Sequence, residues 1–364
     1  MNGKNDTKWS FDSKAWERLS TLVHTSSPTM GETPMASLLR KMWEERGLST
    51  RTDVMGNLGV VIGSDKPVHI GLAAHMDTVA LQITNLLPSG HLQFRSVGLN
   101  PHVLLGQPVQ ILTAKGSIEG GIGFDTTSQY GQPKGLIEED LWIDIGAASA
   151  AEAATLVKPG DAVVLTPRLN LLNGKFLSGT SLDNRLGIFI LNECLNHFME
   201  KGSPLCLHAL YTVQEEVGLR GAAIAAAQAK LDGCIVLDVD YATDMPASHE
   251  NQMGRLELSR GPGLHVKGDN NPVLRKFVEE TAQAKGIPCQ LSLGRFAYGG
   301  TDATPIQVQN GGTAVINLNI PCRYMHSPIE VCHTLDIEYA IQLLIETLER
   351  LGREGKHSFI PGLD

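Results

Sequence analysis

The sequence predicts an α/β fold: a mostly parallel sheet with helices on both faces, interrupted by an inserted smaller β-rich domain. Three observations carry this. Apolar runs of strand length alternate with stretches of helical period at both ends of the chain, the pattern of a parallel sheet with crossover helices. Acidic and His residues recur at the ends of those apolar runs. Between residues 79 and 168 the rhythm changes to short apolar runs separated by Gly and Pro. A length of 364 residues suits two domains at roughly 100–200 residues each.

Taken in order, residues 16–22 and 35–45 repeat apolar positions every three or four residues and predict amphipathic helices. NLGVVIG (57–63) and VHIGLAAHMD (68–77) predict strands, as do LCLHALYTVQEE (205–216), GCIVLDVD (233–240) and GTAVINLNI (312–320). Helical patterns lie between them at 186–200, 222–230 and 272–286, and a last helix is expected over 336–352. In the middle segment LQFRSVG, PVQILTAKG, LWIDIG and DAVVLTP predict short strands of a small barrel or sandwich, with one helix over 147–157. The expected division is residues 1–78 and 169–364 for the main domain and 79–168 for the insert.

Composition excludes several classes. A net charge of −9 argues against a polyanionic partner such as nucleic acid, where affinity rests on Lys and Arg neutralising phosphates. No apolar run approaches the ~18 residues of a membrane span. The first residues are polar, unlike a secretory leader. Six cysteines at irregular spacing with no CxxC predict free thiols, as in a reducing compartment such as the cytoplasm.

The chemistry-bearing residues sit where such a fold would gather them. His75 and Asp77 end one predicted strand, Glu215 and Glu216 a second, and Asp238 and Asp240 a third. His326 follows the last strand, and Asp183 in GTSLDNRLG precedes a helix. In an open α/β sheet ligands bind at the carboxyl ends of the strands, so these motifs meet on one edge. Imidazole and carboxylate donors suit Zn²⁺ or a similar divalent ion. Five ligands exceed what one catalytic zinc with an open position takes, and suit two ions sharing a bridging carboxylate. Alone, Asp183 reads as a helix cap, Glu215 and Glu216 as a solvated turn, and His75 as a core histidine. The other ten histidines, His69, His208 and His265 among them, lack a comparable context and read as ordinary residues. GGTDA (299–303) lacks the Lys and Ser/Thr of a phosphate loop and reads as support for the site or a substrate pocket.

AAHMD, SLDNR, QEEVGLRG, VLDVD, YGGTDA and RYMHSP, in this order, resemble the tetrahedral-aminopeptidase and glutamyl-aminopeptidase family of dinuclear metallopeptidases. The resemblance covers nearly the whole chain, including SVGLNPHVLLGQPVQI and LWIDIGAASAAEA in the insert. It implies a zinc-peptidase-like main domain and two divalent ions per subunit, zinc or cobalt. Asp183 would bridge them, with His75 and Asp238 completing one site and Glu216 and His326 the other. Glu215 would be the general base and Asp77 the carboxylate orienting the His75 ring. A cis peptide is implied between Asp183 and Asn184. The implied activity is removal of N-terminal residues from short peptides by a tetrahedral homo-oligomer of twelve subunits, with the insert mediating contacts.

Two positions depart from the family pattern. Thr78 stands where Glu is usual, and no His follows GSIEGGIG in the insert. A related di-zinc peptidase family carries its second domain between the late acidic ligand and the last His. Here the insert lies between Asp77 and Asp183, which favours the first resemblance. A di-metal deacylase or glycoside hydrolase is the rival reading of the same residues, since paired carboxylates also cleave glycosides. A non-enzymatic scaffold is disfavoured, because none of the ligand or base positions is lost.

Overall fold

Strand-length apolar runs form the middle of an eight-stranded sheet in the computed structural model, which describes residues 9–125, 135–246, 248, 250–294, 297, 299–355 and 358–362. Tyr298 of the YGGTDA motif, His249 and His357 lie outside the described residues. The strand order is Thr50–Thr52, Leu58–Ile62, Cys206–Thr212, His69–His75, Gly233–Tyr241, Ala314–Cys322, Gly263–His265, Gln290–Ser292. The four strands from Cys206–Thr212 to Ala314–Cys322 run parallel. Antiparallel pairing enters toward both edges, at Leu58–Ile62 and at Gly263–His265. The central strands are apolar throughout because both faces are covered; every residue from Ile70 to His75 is buried.

Alternate side chains serve the two faces. Ile70, Leu72 and Ala74 join the larger core with the helices Ser13–Val23, Thr33–Glu44, Leu182–Lys201, Pro272–Lys285 and Thr334–Glu354. Ala73 and Leu210 meet the short helices Arg220–Gln228 and Ala303–Gln307 on the other face. That second layer is built largely of alanines, which let the helix backbone lie close to the sheet. Capping follows the sequence: Asp12 accepts from the Ala15 N–H at 2.8 Å, and Asn271 caps a helix opening with Pro272.

The strands Ala80–Leu86, Leu92–Val97, Leu141–Asp144, Gly116–Phe124, Pro108–Thr113 and Ala162–Leu165 close in that order into an antiparallel barrel. It is an inserted smaller β-rich domain with a core of its own, built on Leu81, Ile83, Leu92, Ile111, Ile143 and Val163. Closure leaves no open edge. The sequence pattern missed two of its strands. Gly116–Phe124 is too rich in Gly to show alternation, and one of those glycines is forced: a Cβ on Gly123 would lie 2.4 Å from the Trp142 indole nitrogen. The strand Ala80–Leu86 follows His69–His75 so closely that both run into one apolar stretch.

A hairpin, Leu169–Leu172 with Phe176–Gly179, pairs with Glu330–His333 and leads the chain from the barrel to Asp183. All six cysteines are free; five are buried and Cys289 is half-buried. No helix of the described residues is long and apolar enough to cross a membrane.

One polar chain crosses the larger core. The Trp43 indole N–H donates to the Tyr211 hydroxyl at 2.9 Å, and that hydroxyl donates to Asn192 Oδ1 at 2.6 Å, all buried. Tyr211→Phe leaves both partners unsatisfied, a cost of about 1–3 kcal/mol. The expected result is a lower unfolding midpoint in urea with an unchanged slope; an unaltered midpoint would contradict it.

Candidate metal centre

Five chain segments reach the carboxyl edge of the parallel strands and bring His75, Asp183, Glu216, Asp238 and His326 together. His75 is the last residue of its strand, opposite Thr212 of the neighbouring one. Its Nε2 lies 3.1 Å from Asp183 Oδ1 and 3.5 Å from Asp238 Oδ1. His326 Nε2 lies 3.2 Å from Asp183 Oδ2 and 3.3 Å from Glu216 Oε2. Asp183 thus turns one oxygen toward each histidine, and the ligand atoms within each trio all fall within 4.8 Å of one another.

Local backbone devices aim these side chains. Ser181, Gln214 and His326 have φ of 60°, 57° and 59°, so the chain turns sharply beside the ligands. The strand Cys206–Thr212 stops short of QEE, which the sequence reading placed within a strand over 205–216, and the turn begins at Gln214. The Asp183-Asn184 peptide is cis, as the resemblance implied. Asn184 donates to the Leu237 carbonyl at 2.8 Å and accepts from the Gly187 N–H at 2.8 Å, tying Asp183 to the strand carrying Asp238. A Cβ on Gly187 would lie 2.3 Å from Asn184 Oδ1, so that approach needs glycine.

Asp77 is placed differently from the sequence expectation. The hydrogen bond from His75 Nδ1 goes to the Asp77 main-chain carbonyl at 3.0 Å, and the carboxylate lies 3.6 Å away. The Asp77 carboxylate instead accepts from the N–H groups of Glu215 and Glu216, at 3.0 and 3.1 Å. It therefore fixes the turn that presents both glutamates. Thr78 is tied to Ser27, whose carbonyl accepts from its N–H at 3.0 Å and from its hydroxyl at 3.3 Å.

Three residues outside the sequence-derived set complete the frame. Glu330 is buried and accepts from the backbone N–H of Asp183 at 3.1 Å and of His326 at 3.0 Å, clamping two segments far apart in sequence. Arg185, also buried, donates to the carbonyls of Leu22, Met76 and Thr25. Asp302 of the GGTDA motif accepts from the Thr212 hydroxyl. Asp302 lies in GGTDA, which the sequence reading took as support for the site or a substrate pocket, Arg185 lies in SLDNR without an expected role, and Glu330 lies in no motif.

The electrostatics show a shortage of positive charge. Burial disfavours a charged His75, yet Asp183, Asp238 and Asp77 more than offset it and raise its pKa well above the usual histidine range. Burial also opposes charge on His326, and Asp183 with Glu216 lifts it to about 10. Asp183 is buried too, but the flanking imidazoles hold it well below the usual carboxylate range. Four other carboxyls are pushed up by burial and by neighbouring carboxylates, Glu216 to about 8, Glu330 to about 8 and Asp302 to about 7, with Glu215 well above its ordinary value, whereas burial of Asp77 is outweighed by His75 and two backbone N–H groups, which lower it. Arg185 is a single buried cation that interacts with Asp77, Asp183 and Glu330, and its hydrogen bonds go to main-chain carbonyls, so it donates none to these carboxylates. Asp183 Oδ1 and Glu216 Oε1 are buried and make no hydrogen bond. Buried lone pairs beside imidazole nitrogens are the donor set of a divalent cation, so both trios fit one.

The centre opens into a cavity of about 350 Å³. Its wall away from the ligands includes Tyr241, His265, Lys267 and Gly299–Thr301. His265 has a defined place there: its Nε2 lies 2.8 Å from Asp240 Oδ2.

Comparison with known proteins gives one consistent result. The family model described as M42 glutamyl aminopeptidase matches residues 56–343. The lysyl aminopeptidase of Pyrococcus furiosus is 30% identical, over 83% of this chain and 87% of its own length. The TET aminopeptidase of the marine sediment archaeon Thaumarchaeota archaeon SCGC AB-539-E09 superposes with a TM-score of 0.89 at 31% identity, covering 95% of this chain and 99% of that one. The TET1 peptidase of Pyrococcus horikoshii, described as assembling into a tetrahedron or a large octahedral shell, gives 0.82 at 29% identity, covering 91% and 98%. The chain belongs to the M42 glutamyl aminopeptidase family and is a hydrolase of the metal-dependent aminopeptidase class.

Proposed function

We propose that the chain removes N-terminal residues from short peptides at a dinuclear centre in which Asp183 is shared. His75 and Asp238 complete one site, and Glu216 and His326 the other. The carrying observation is Asp183 itself, with one carboxylate oxygen 3.1 Å from His75 Nε2 and the other 3.2 Å from His326 Nε2. When bound, two divalent ions, zinc or cobalt, supply Lewis acidity to the scissile carbonyl and acidify a shared water.

The chain's own groups do the rest. Glu215 lines the cavity beside His75 and Glu216, its ligand-type oxygen within 4.8 Å of theirs. It takes a proton from the attacking water and returns it to the leaving amine. Asp77 holds the Glu215-Glu216 turn through two backbone N–H groups, and Glu330 holds Asp183 and His326.

Lys267 sets the substrate preference in this reading. Among the described residues lining the cavity it is the one Lys or Arg. The nearby Asp240 carboxylate is engaged by His265 and by the Ser292 hydroxyl. An ammonium group in that wall favours an acidic N-terminal side chain. The assembly is a twelve-subunit tetrahedral shell, with the insert of residues 79–168 making subunit contacts. Support comes from the shells described for the Pyrococcus horikoshii relative. Six free thiols suit the cytoplasm.

Three measurements test this. Glu215→Gln should retain its metal and substrate affinity within a few-fold while losing about 10²–10⁴ in turnover; Glu216→Gln should lose one ion per chain by elemental analysis. Normal turnover in the first variant would refute the division of roles. Initial rates on aminoacyl chromogenic substrates should favour Glu over Leu and Lys, and Lys267→Ala should lower the Glu/Leu ratio of kcat/KM by roughly tenfold, about 1.4 kcal/mol; an unchanged ratio would remove Lys267 from specificity. Light scattering should give a particle of about twelve chains, and a monomer throughout the micromolar range would exclude a shell.

A further inference from the structure

The same central strand that ends in His75 begins with His69, and a second group of ligand-type side chains gathers at that opposite end. Cys206 stands opposite His69 in the parallel ladder, and His208 lies two residues further along the Cys206 strand. Residues two apart on a strand share a face, so all three side chains project from one side of the sheet. His69 Nδ1 lies 3.0 Å from His208 Nε2, and His208 Nε2 lies 3.4 Å from Cys206 Sγ. The three donor atoms all fall within 4.8 Å of one another. The two rings lie 5.2 Å apart between centroids and are tilted by 31°. Cys206 is buried, while both histidines are half-buried.

We infer that His69, Cys206 and His208 form a second, separate metal site for a zinc-type ion, with two imidazoles and one thiolate as ligands. Bond lengths of about 2.0–2.1 Å to nitrogen and 2.3 Å to sulfur place tetrahedral ligand atoms about 3.3 Å (N···N) and about 3.6 Å (N···S) apart. The observed 3.0 and 3.4 Å fall short of these by only a few tenths of an ångström. Two half-buried rings take up such a change by small rotations. The backbone is already fixed: the His69 N–H donates to Asp232 Oδ2 at 3.0 Å, and its carbonyl accepts from the Asp232 N–H at 2.8 Å. A cavity of about 470 Å³, lined by Ser64, His208 and Ala229 among others, opens beside the cluster. It gives the ion an entry path and leaves a fourth position for solvent.

A hydrogen bond between two neutral imidazoles explains the His69–His208 contact by itself. It does not explain a thiol directed at the same nitrogen. That nitrogen is already half of the imidazole pair, whereas convergence of three donors is what a cation needs. The site lies six residues from His75 along one strand, about 20 Å at ~3.3 Å per residue. Its ion would link two neighbouring central strands at the edge remote from the cavity, a stabilising role rather than a catalytic one.

Cobalt distinguishes this site from the proposed catalytic centre, whose ligands include no sulfur. The wild-type protein loaded with Co²⁺ should show a sulfur-to-cobalt charge-transfer band in the near ultraviolet. Cys206→Ser should abolish the band and remove one ion per chain, and His208→Gln should weaken both, with aminopeptidase rates within twofold of wild type. Cys234→Ser on the adjacent strand should keep the band. Zn²⁺ should raise the thermal midpoint of the wild type by more than that of Cys206→Ser. Absence of the band in the cobalt-loaded wild type overturns the assignment without reference to any variant. Its persistence in Cys206→Ser overturns it as well, and neither outcome bears on the dinuclear centre.

Discussion

Everything around the candidate centre answers one constraint: seven carboxyl groups, Asp77, Asp183, Glu215, Glu216, Asp238, Asp302 and Glu330, are brought to one edge of the sheet, most of them buried. Charge removed from water must be neutralised or hydrogen-bonded. The protein meets part of this demand with its backbone. Asp77 takes the N–H groups of Glu215 and Glu216, and Glu330 those of Asp183 and His326. The carboxyls treated in this way are those that hold segments in place. Those left without enough donors, Asp183 and Glu216, are the ones facing the histidines. Asp302 also keeps one buried oxygen without a partner, whereas Asp238 accepts from the Val239 N–H, so the hydrogen bonds mark Asp183 and Glu216 without separating every ligand from the frame.

The parallel sheet makes such a concentration possible. Parallel strands end on the same edge, so His75, the QEE turn, Asp238 and the segment before His326 converge although more than 200 residues separate the first from the last. Extended strands alone would carry the following residues straight past that edge. The left-handed residues Ser181, Gln214 and His326 turn the chain at the strand ends and fold the side chains back over the sheet. Such backbone is sparsely populated outside glycine and is found where surrounding contacts hold it in place. Here the contacts are hydrogen bonds to Glu32 at Gln214 and to Glu330 at His326.

Sequence periodicity made most of the main sheet legible, because its central strands are continuous apolar runs ending in polar residues. The three-residue strands toward the two edges, Thr50–Thr52, Gly263–His265 and Gln290–Ser292, are too short to carry a period. The ligand-type residues were legible as acids and histidines at strand ends. Glu330 was not, because its function lies in accepting two backbone N–H groups, and a backbone donor leaves no mark in sequence. The second role of Asp77 was hidden for a related reason: besides lying 3.6 Å from His75 Nδ1, its carboxylate accepts from the backbone N–H groups of Glu215 and Glu216. His69 and His208 read as ordinary histidines because their meeting depends on the register of two strands separated by more than a hundred residues.

The barrel is attached where it acts on the centre and not merely beside it. Its first strand begins at Ala80, three residues after Asp77, and Thr78 anchors that entry through backbone bonds to Ser27 and Thr29. Its last strand ends at Leu165, and beyond it the Arg168 guanidinium donates twice to the Pro328 carbonyl, two residues past His326. Both junctions thus brace segments that carry site residues. Inside the barrel Gly98 approaches so closely that a Cβ there would lie 2.3 Å from Val79 and 3.8 Å from Glu216 Oε2. A rigid closed barrel held at these points resists displacement of Glu216 and His326 relative to Asp183. These contacts add to the backbone bonds by which Asp77 and Glu330 already hold the Glu216 and His326 turns.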